Sequence, residues 1–173
     1  MATQPAPTFS PEAARTHVEI IFGDLEFEAP VTKGVIEAIT NPDFRIDPKA
    51  RTAKELAWHI VYSEIGMLDA IADLNFEMTE EPPAPATLAE VVRYHQENLP
   101  RALARVRSMT AEQLLTPLDF GGMFNFPAFQ YVDFAILHTV HHRAFLAAYL
   151  RPMGSKCPSI YGGSADFPFQ PPA

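Results

Sequence analysis

The chain has 173 residues, of which 47% are hydrophobic and 20% are charged, a balance that is typical of a globular domain and excludes a disordered or fibrous protein. Thirteen Lys and Arg residues stand against 21 Asp and Glu residues, and the formal net charge is −8. This acidic balance disfavours the basic surfaces that bind nucleic acids or anionic membranes. We therefore expect a single domain over residues 1–173 with no nucleic acid and no membrane among its partners.

Cysteine usage and the lack of targeting patterns indicate the compartment. The one cysteine, Cys157, cannot form an intrachain disulfide or a cysteine-rich zinc site. The first residues show no signal-peptide pattern, and the longest apolar run, residues 144–150, is much shorter than the roughly 20 residues that span a bilayer. We expect a cytoplasmic protein.

The start of the first helix is marked by a capping sequence. Ser10 is a favourable N-cap, Pro11 fits the first helical position, and Glu12 places an acid near the positive end of the helix dipole. These residues predict a helix over residues 11–40. Pro30 lies inside this segment and either kinks the helix or divides it in two.

Two capping boxes mark the next two helices. In Thr52-Ala53-Lys54-Glu55 the Thr hydroxyl accepts the Glu amide while the Glu carboxylate accepts the Thr amide, which predicts a helix over residues 52–75. Thr87-Leu88-Ala89-Glu90 repeats the box and predicts a helix over residues 87–108.

The rest of the chain contains loops and one further long helix. Residues 80–85 form a proline-rich loop, and Thr110 begins a short extra turn. Residues 116–126 read as a long loop with aromatic side chains that either cap the core or close over a pocket. A fourth helix is predicted over residues 127–150, followed by the tail 151–173. Since sustained β alternation is missing from the sequence, we expect an all-α four-helix bundle.

The strongest chemical signal is a cluster of three histidines in the fourth helix, His138, His141 and His142. At about 100° per residue, His138 and His142 lie within an aromatic stripe that we expect to face the core, whereas His141 lies at its edge. The stripe also contains Tyr131, Phe134, Phe145 and Tyr149. Residues four apart have Cβ atoms about 5–6 Å apart, which lets two imidazoles bind one divalent metal.

A third ligand is expected from another helix, and His59 is the best candidate. Its helical face carries mostly small residues, including Ser63, Gly66 and Ala70, which permit close helix approach. An inward histidine alone is more often a hydrogen-bonded core residue. A three-histidine site leaves a coordination position open for water or substrate, as in catalytic metal centres.

Other chemically capable residues have structural interpretations. His17 and His95 lie on polar stretches and are predicted to be surface residues. Glu55 belongs to a capping box, and Asp73 lies too far along its helix to reach the same metal. Cys157 is expected to be an inert loop thiol.

Together these segments resemble the DinB/YfiT-like family. Residues 137–146, which contain the three clustered histidines, and the following segments 149–154 and 158–162 look like the last helix and tail of that family. Leu56-Ala57-Trp58-His59-Ile60 looks like its second helix. The resemblance covers nearly the whole chain.

The resemblance implies a bundle with up-down-down-up connections that forms a homodimer and binds a divalent metal such as zinc or nickel. Carried over to this chain, the metal ligands are His59, His138 and His142. Where the family pattern reads His-Arg-Gly-Gln, this chain has His142-Arg143-Ala144-Phe145. A role for that Gln in orienting metal or substrate is therefore absent or moved.

Three functions are compatible with such a site. Characterised members of the resembled family include transferases and isomerases that use mycothiol, bacillithiol or glutathione. Three neutral imidazoles leave the charge of a divalent metal uncompensated, so the open position favours an anion. The first hypothesis is an enzyme that activates a low-molecular-weight thiol towards a small-molecule substrate. The second is a hydrolase using metal-bound hydroxide, and the third is a non-catalytic metal-binding stress protein.

The fourth helix also suggests self-association. Ile136, Val140, Ala144 and Ala147 lie opposite the histidine face, so this helix is apolar nearly all round. Such a helix needs cover on both sides. We therefore expect a homodimer.

Overall fold

The computed structural model describes residues 9–77 and 80–169, and this part of the chain folds mainly into helices. The helices are α1 (Pro11–Glu37), α2 (Ala53–Asp73), α3 (Leu88–Arg107), α4 (Ala111–Leu114) and α5 (Tyr131–Leu150), and the strands are β1 (Pro117–Phe120) and β2 (Phe124–Pro127). A 3₁₀ turn over Ala128–Gln130 precedes α5. The predicted all-α bundle is confirmed. Within the described ranges, no helix combines the length and apolar character needed to cross a membrane.

The helix starts follow from the capping residues. Ser10 Oγ accepts the amide of Ala13 at 3.1 Å, and the capping boxes at Thr52 and Thr87 are both formed. Thr110 caps the short helix α4 in the same way. Helix α1 continues through Pro30, so this proline does not divide the first segment.

Side-chain pairs show that α2 and α3 run parallel. The rings of Trp58 and Tyr94 lie 4.8 Å apart near the starts of the two helices. Farther along both helices, Asp69 accepts a hydrogen bond from Arg101 at 2.8 Å. Parallel neighbours need a long connection, which the segment between residues 74 and 87 supplies.

Helices α1 and α5 also run parallel to each other. His17 Nε2 lies 2.8 Å from the carboxylate of Asp133 near the start of both helices. Ten or more residues later in each helix, Glu28 pairs with Arg143.

Helices α2 and α5 are antiparallel. The hydroxyl of Tyr149, near the end of α5, donates to the carbonyl of Arg51 just before α2. Thr139, earlier in α5, donates to Glu64 farther along α2. With the two parallel pairs, this gives the up-down-down-up order that the family resemblance implies.

Residues 116–126 do not form the predicted irregular loop, because β1 and β2 pair as an antiparallel hairpin. Gly121 and Gly122 form its turn with φ angles of 59° and 73°, a left-handed conformation that favours glycine. The carboxylate of Asp119 accepts the amide of Gly122 at 3.1 Å. Each strand has only four residues, which is too short for an alternation pattern to distinguish it from a loop.

A layer of polar side chains divides the core into two apolar clusters. One cluster includes Phe22 and Leu68, and the other includes Ile36 and Ile60. Between them lie six buried polar residues from all four long helices, which we call the buried polar layer. They are Glu28, Thr32, Glu64, His95, Thr139 and Arg143.

One half of the buried polar layer joins α1 to α5 and to the C-terminal tail. Arg143 is only 1% exposed, and its guanidinium donates to the Glu28 carboxylate and to the Thr32 hydroxyl. Tyr161 from the tail donates its hydroxyl to Glu28 at 2.7 Å. The charge of Arg143 is thus compensated within the core.

The other half joins α2, α3 and α5, and it corrects the prediction for His95. His95 is only 3% exposed, and its Nε2 lies 2.6 Å from Glu64. The same carboxylate accepts the hydroxyl of Thr139 at 2.9 Å. The polar sequence around His95 predicted a surface position, but a carboxylate from another helix makes burial of the imidazole possible. His17 is half-exposed and pairs with Asp133.

Candidate metal centre

The structure brings His59, His138 and His142 together on the seam between α2 and α5. The ring centroid of His59 lies 4.9 Å from that of His138 and 4.7 Å from that of His142, and the latter two centroids are 4.3 Å apart. One nitrogen from each ring lies within 4.8 Å of the other two. This separation is compatible with three imidazoles binding one metal ion.

The two neighbours of these histidines in the sequence of α5 hold the helix in place. Thr139 follows His138 and binds Glu64 of α2, whereas Arg143 follows His142 and binds Glu28 of α1. Successive residues of a helix point about 100° apart. The inward polar bonds therefore direct the preceding histidines to the adjacent seam.

The electrostatics of the site keep two of the imidazoles neutral. Burial, together with the neighbouring His142 and His59 rings, lowers the pKa of His138 from 6.5 to about 3. Burial and the same histidine cluster lower the pKa of His142 to about 4. Both rings are uncharged at neutral pH, which is the form that binds metals.

These pKa values predict acid sensitivity of the metal-free protein. Below pH 6.5 the unfolded chain binds protons at His138 and His142, whereas in the folded chain the pKa of His138 is about 3 and that of His142 is about 4. The free energy of unfolding should therefore fall as pH falls through this window. Urea unfolding with a chelator at pH 7 and at pH 5.5 measures the change. A variant carrying both His138→Leu and His142→Leu should show a smaller drop in the free energy of unfolding. An equal drop would show that other groups cause the pH dependence.

Glu81 is a site residue that the sequence analysis did not identify. Its carboxylate lies 2.6 Å from Nδ1 of His59 and 3.4 Å from the guanidinium of Arg51. Ser63 Oγ lies 3.3 Å from the same ring nitrogen. These contacts occupy Nδ1 and leave Nε2 of His59 for a metal. A carboxylate bound to a ligand histidine fixes its tautomer and the orientation of its ring.

The position of Glu81 depends on a tertiary contact of its loop. Trp58 Nε1 donates to the carbonyl of Pro82 at 2.8 Å. Trp58 precedes His59 in α2, and Pro82 follows Glu81 in the loop. The only sequence signal was an acid in a proline-rich segment following α2. Such a segment does not indicate by itself which side chain it brings back to the helix.

We expect Glu81→Gln to weaken metal binding by about 10–100-fold, because loss of a carboxylate behind a ligand histidine typically has this effect. Competition against a chelating indicator dye measures the affinity. Glu80→Gln removes the adjacent exposed carboxylate and is the matched control. Equal affinities in the two variants would contradict a role for Glu81 in orienting His59.

A buried nitrogen atom without a hydrogen-bond partner helps to test whether this site fits a metal. Nδ1 of His138 is buried, and no hydrogen-bond partner reaches it from the described residues. A buried polar atom without a partner costs about 1–3 kcal/mol. Three imidazole nitrogens are a donor set that zinc and nickel accept. The site is therefore compatible with a divalent metal.

A cleft of about 410 Å³ opens beside the histidines. His59 and His138 lie at one end, and Phe120 of β1 lies against it. Phe120 also packs against the apolar cluster that includes Phe22 and Leu68, so it has both of the roles considered for the aromatic segment 116–126. The volume lies in the range of ligand-binding pockets.

The outer face of α5 differs from the sequence prediction. Phe145 is 52% exposed, so the aromatic stripe does not face the core along its whole length. The ring of the exposed His141 lies 4.9 Å from the rings of both Phe145 and His142, so His141 is a neighbour of the cluster. Phe145 occupies the position of the Gln in the resembled pattern and is turned largely to the surface.

The remaining candidates lie outside the cluster. Glu55 completes its capping box and pairs with Arg45 at 3.3 Å. Asp73 pairs with Arg105 of α3. Cys157 is half-buried, and its thiol lies 3.7 Å from the carbonyl of Pro158.

Comparisons with known proteins agree with this architecture. The family model described as "DinB family" matches residues 16–170. A DinB-like protein from Bacillus cereus ATCC 10987 is 23% identical with a TM-score of 0.70, and the match covers 83% of this chain and 97% of that chain. The DinB-like protein YjoA from Bacillus subtilis is 23% identical with a TM-score of 0.66, and the match covers 81% and 96%. No curated protein matches the sequence.

The two structural likenesses establish the fold, and the family match extends over most of the chain. The resemblance found in the sequence is thereby confirmed. This protein belongs to the DinB family.

Proposed function

We propose that this protein is a metal-dependent enzyme that activates a low-molecular-weight thiol for S-transfer to, or isomerisation of, a small-molecule substrate. The observation that carries the proposal is the group of three imidazoles, with ring nitrogens within 4.8 Å of one another, two of which, His59 and His138, line an open cleft. Zinc and nickel are the proposed metals. A cytoplasmic location, where thiols stay reduced, belongs to the same proposal.

Each residue has a proposed role in this reaction. His59, His138 and His142 hold the metal, and Glu81 orients His59 through Nδ1. A divalent metal with three uncharged ligands lowers the pKa of a thiol or a water molecule that binds it. The cleft beside His59 and His138 receives the substrate.

The test is the absorption spectrum of the cobalt-substituted protein titrated with mycothiol, bacillithiol and glutathione. A thiolate-to-cobalt charge-transfer band with one of them would support the proposal. The S-methylated form of the same thiol is the matched control and should give no band. A spectrum that none of the thiols changes would overturn thiol activation and favour the hydrolase or the non-catalytic binding protein.

A homodimer is also part of the proposed function. Ala144 is exposed on the face predicted to associate, and Ile136, Val140 and Ala147 are half-buried. Leu137 on the same helix is 66% exposed. We expect light scattering at micromolar concentration to give twice the chain mass of 19.2 kDa. A mass of one chain would contradict the dimer.

A further inference from the structure

The cleft beside the histidines has walls that define the chemistry of its occupant. Its sides come from α2, from the segment that follows α2, and from the β-hairpin. Because one end is formed by His59 and His138, a molecule in the cleft lies next to the candidate metal centre.

The space in the cleft exists because α2 carries small residues there. Gly66 and Ala70 line it, and a Cβ atom added at Gly66 would meet no atom within 4 Å. Glycine inside a helix is less favourable than alanine by about 0.5–1 kcal/mol. Neither crowding nor a left-handed φ angle requires glycine at this position, so its structural effect is to leave the cleft open.

Two aromatic rings of the lining are held by contacts with other rings. The rings of Phe76 and Phe120 pack edge to face with centroids 5.0 Å apart, and Phe76 also packs on Tyr131 of α5 at 4.8 Å. Met67 adds a flexible thioether to the lining. Aromatic and methionine side chains favour flat apolar groups.

The charge of the cleft disfavours an anion away from the end formed by His59 and His138. None of the described residues that line it is Lys or Arg. Glu77 lies at the exposed edge, and the other lining carboxylate, Glu81, is already bound to His59 and Arg51. An anionic group placed here would lose its hydration without gaining a cation as a partner.

We propose that the cleft binds an uncharged aromatic group of the substrate. The proposal rests on the proposed function, since it names the substrate class for the same site. It identifies the acceptor or isomerisable molecule as one that carries a flat apolar group about the size of one or two rings. Substrates whose group at this position carries a carboxylate or sulfonate are expected to bind more weakly.

The test uses two probes of the same shape, 2-naphthalenemethanol and 2-naphthalenesulfonate, with the metal-loaded protein. Methionine methyl groups labelled with ¹³C give a local signal, because Met67 lies in the cleft. We expect the uncharged probe to shift the Met67 methyl resonance with saturation, and the sulfonate to bind about tenfold more weakly. A metal would attract the sulfonate, so weaker binding of the anion must come from the cleft itself.

Gly66→Leu should fill the cleft and weaken binding of 2-naphthalenemethanol by about tenfold or more. Gly23→Leu is the matched control, because Gly23 is an exposed helical glycine in α1 with equally open surroundings, and it should leave binding unchanged. Metal content and melting temperature of both variants check that the fold is intact.

Two results would overturn the proposal: equal affinity for the two probes, or unchanged binding in an intact, metal-loaded Gly66→Leu protein. The probes contain no thiol and do not react. The outcome is therefore independent of the cobalt titration, and failure of thiol activation can be distinguished from failure of the substrate assignment.

Discussion

Alanine substitution of His138 or His142 should remove most of the metal from a protein that otherwise carries close to one divalent ion per chain. Two imidazoles hold a metal much more weakly than three, because each lost ligand removes a bond and opens the site to water. Elemental analysis after dialysis measures the content. His141→Ala is the matched control, since it removes an exposed histidine of the same helix and should keep the metal. Full metal content in the His138 and His142 variants would contradict their assignment as metal ligands.

The second large effect concerns stability. Arg143→Met should lower the free energy of unfolding by about 3–5 kcal/mol, because it leaves the Glu28 carboxylate buried without its cation. Urea unfolding of the metal-loaded protein measures the change. Adding Glu28→Gln to Arg143→Met should restore part of the lost free energy of unfolding, because the buried carboxylate charge of Glu28 is then removed.

A matched substitution separates this effect from the loss of an ordinary ion pair. Arg151 follows α5, pairs with Asp166 at 3.0 Å, and its side chain is 54% exposed. Arg151→Met should cost about 1 kcal/mol or less, as is typical of exposed pairs. Similar small losses in the Arg143 and Arg151 variants would show that the buried polar layer contributes little to stability.

The fold was predictable because its signals are local. The capping boxes at Thr52 and Thr87 lie within four residues each, and both form as the sequence indicates. The spacing of His138 and His142 is likewise a property of one helix. The hairpin was missed because its pairing joins segments that are individually too short to show a period.

Glu81 and the buried polar layer could not be predicted because they depend on contacts between distant segments. The burial of His95 requires Glu64, 31 positions away in sequence. Glu81 reaches His59 only because its loop is anchored on α2. Nothing near Arg143 in the chain shows that α1 supplies the carboxylate that binds its guanidinium.

The buried polar layer affects how the helices align along their axes. Apolar side chains on either side of a seam can exchange partners when one helix slides past another, because their attraction is not directional. A slide of α5 by one turn along α2 would displace His138 and His142 by about 5.4 Å. It would also separate Thr139 from Glu64 and Arg143 from Glu28, which leaves charges and hydroxyls unpaired in the interior. The buried hydrogen bonds thus fix the axial position of α5 relative to α2, which keeps the three histidine rings at the same level along the two helices.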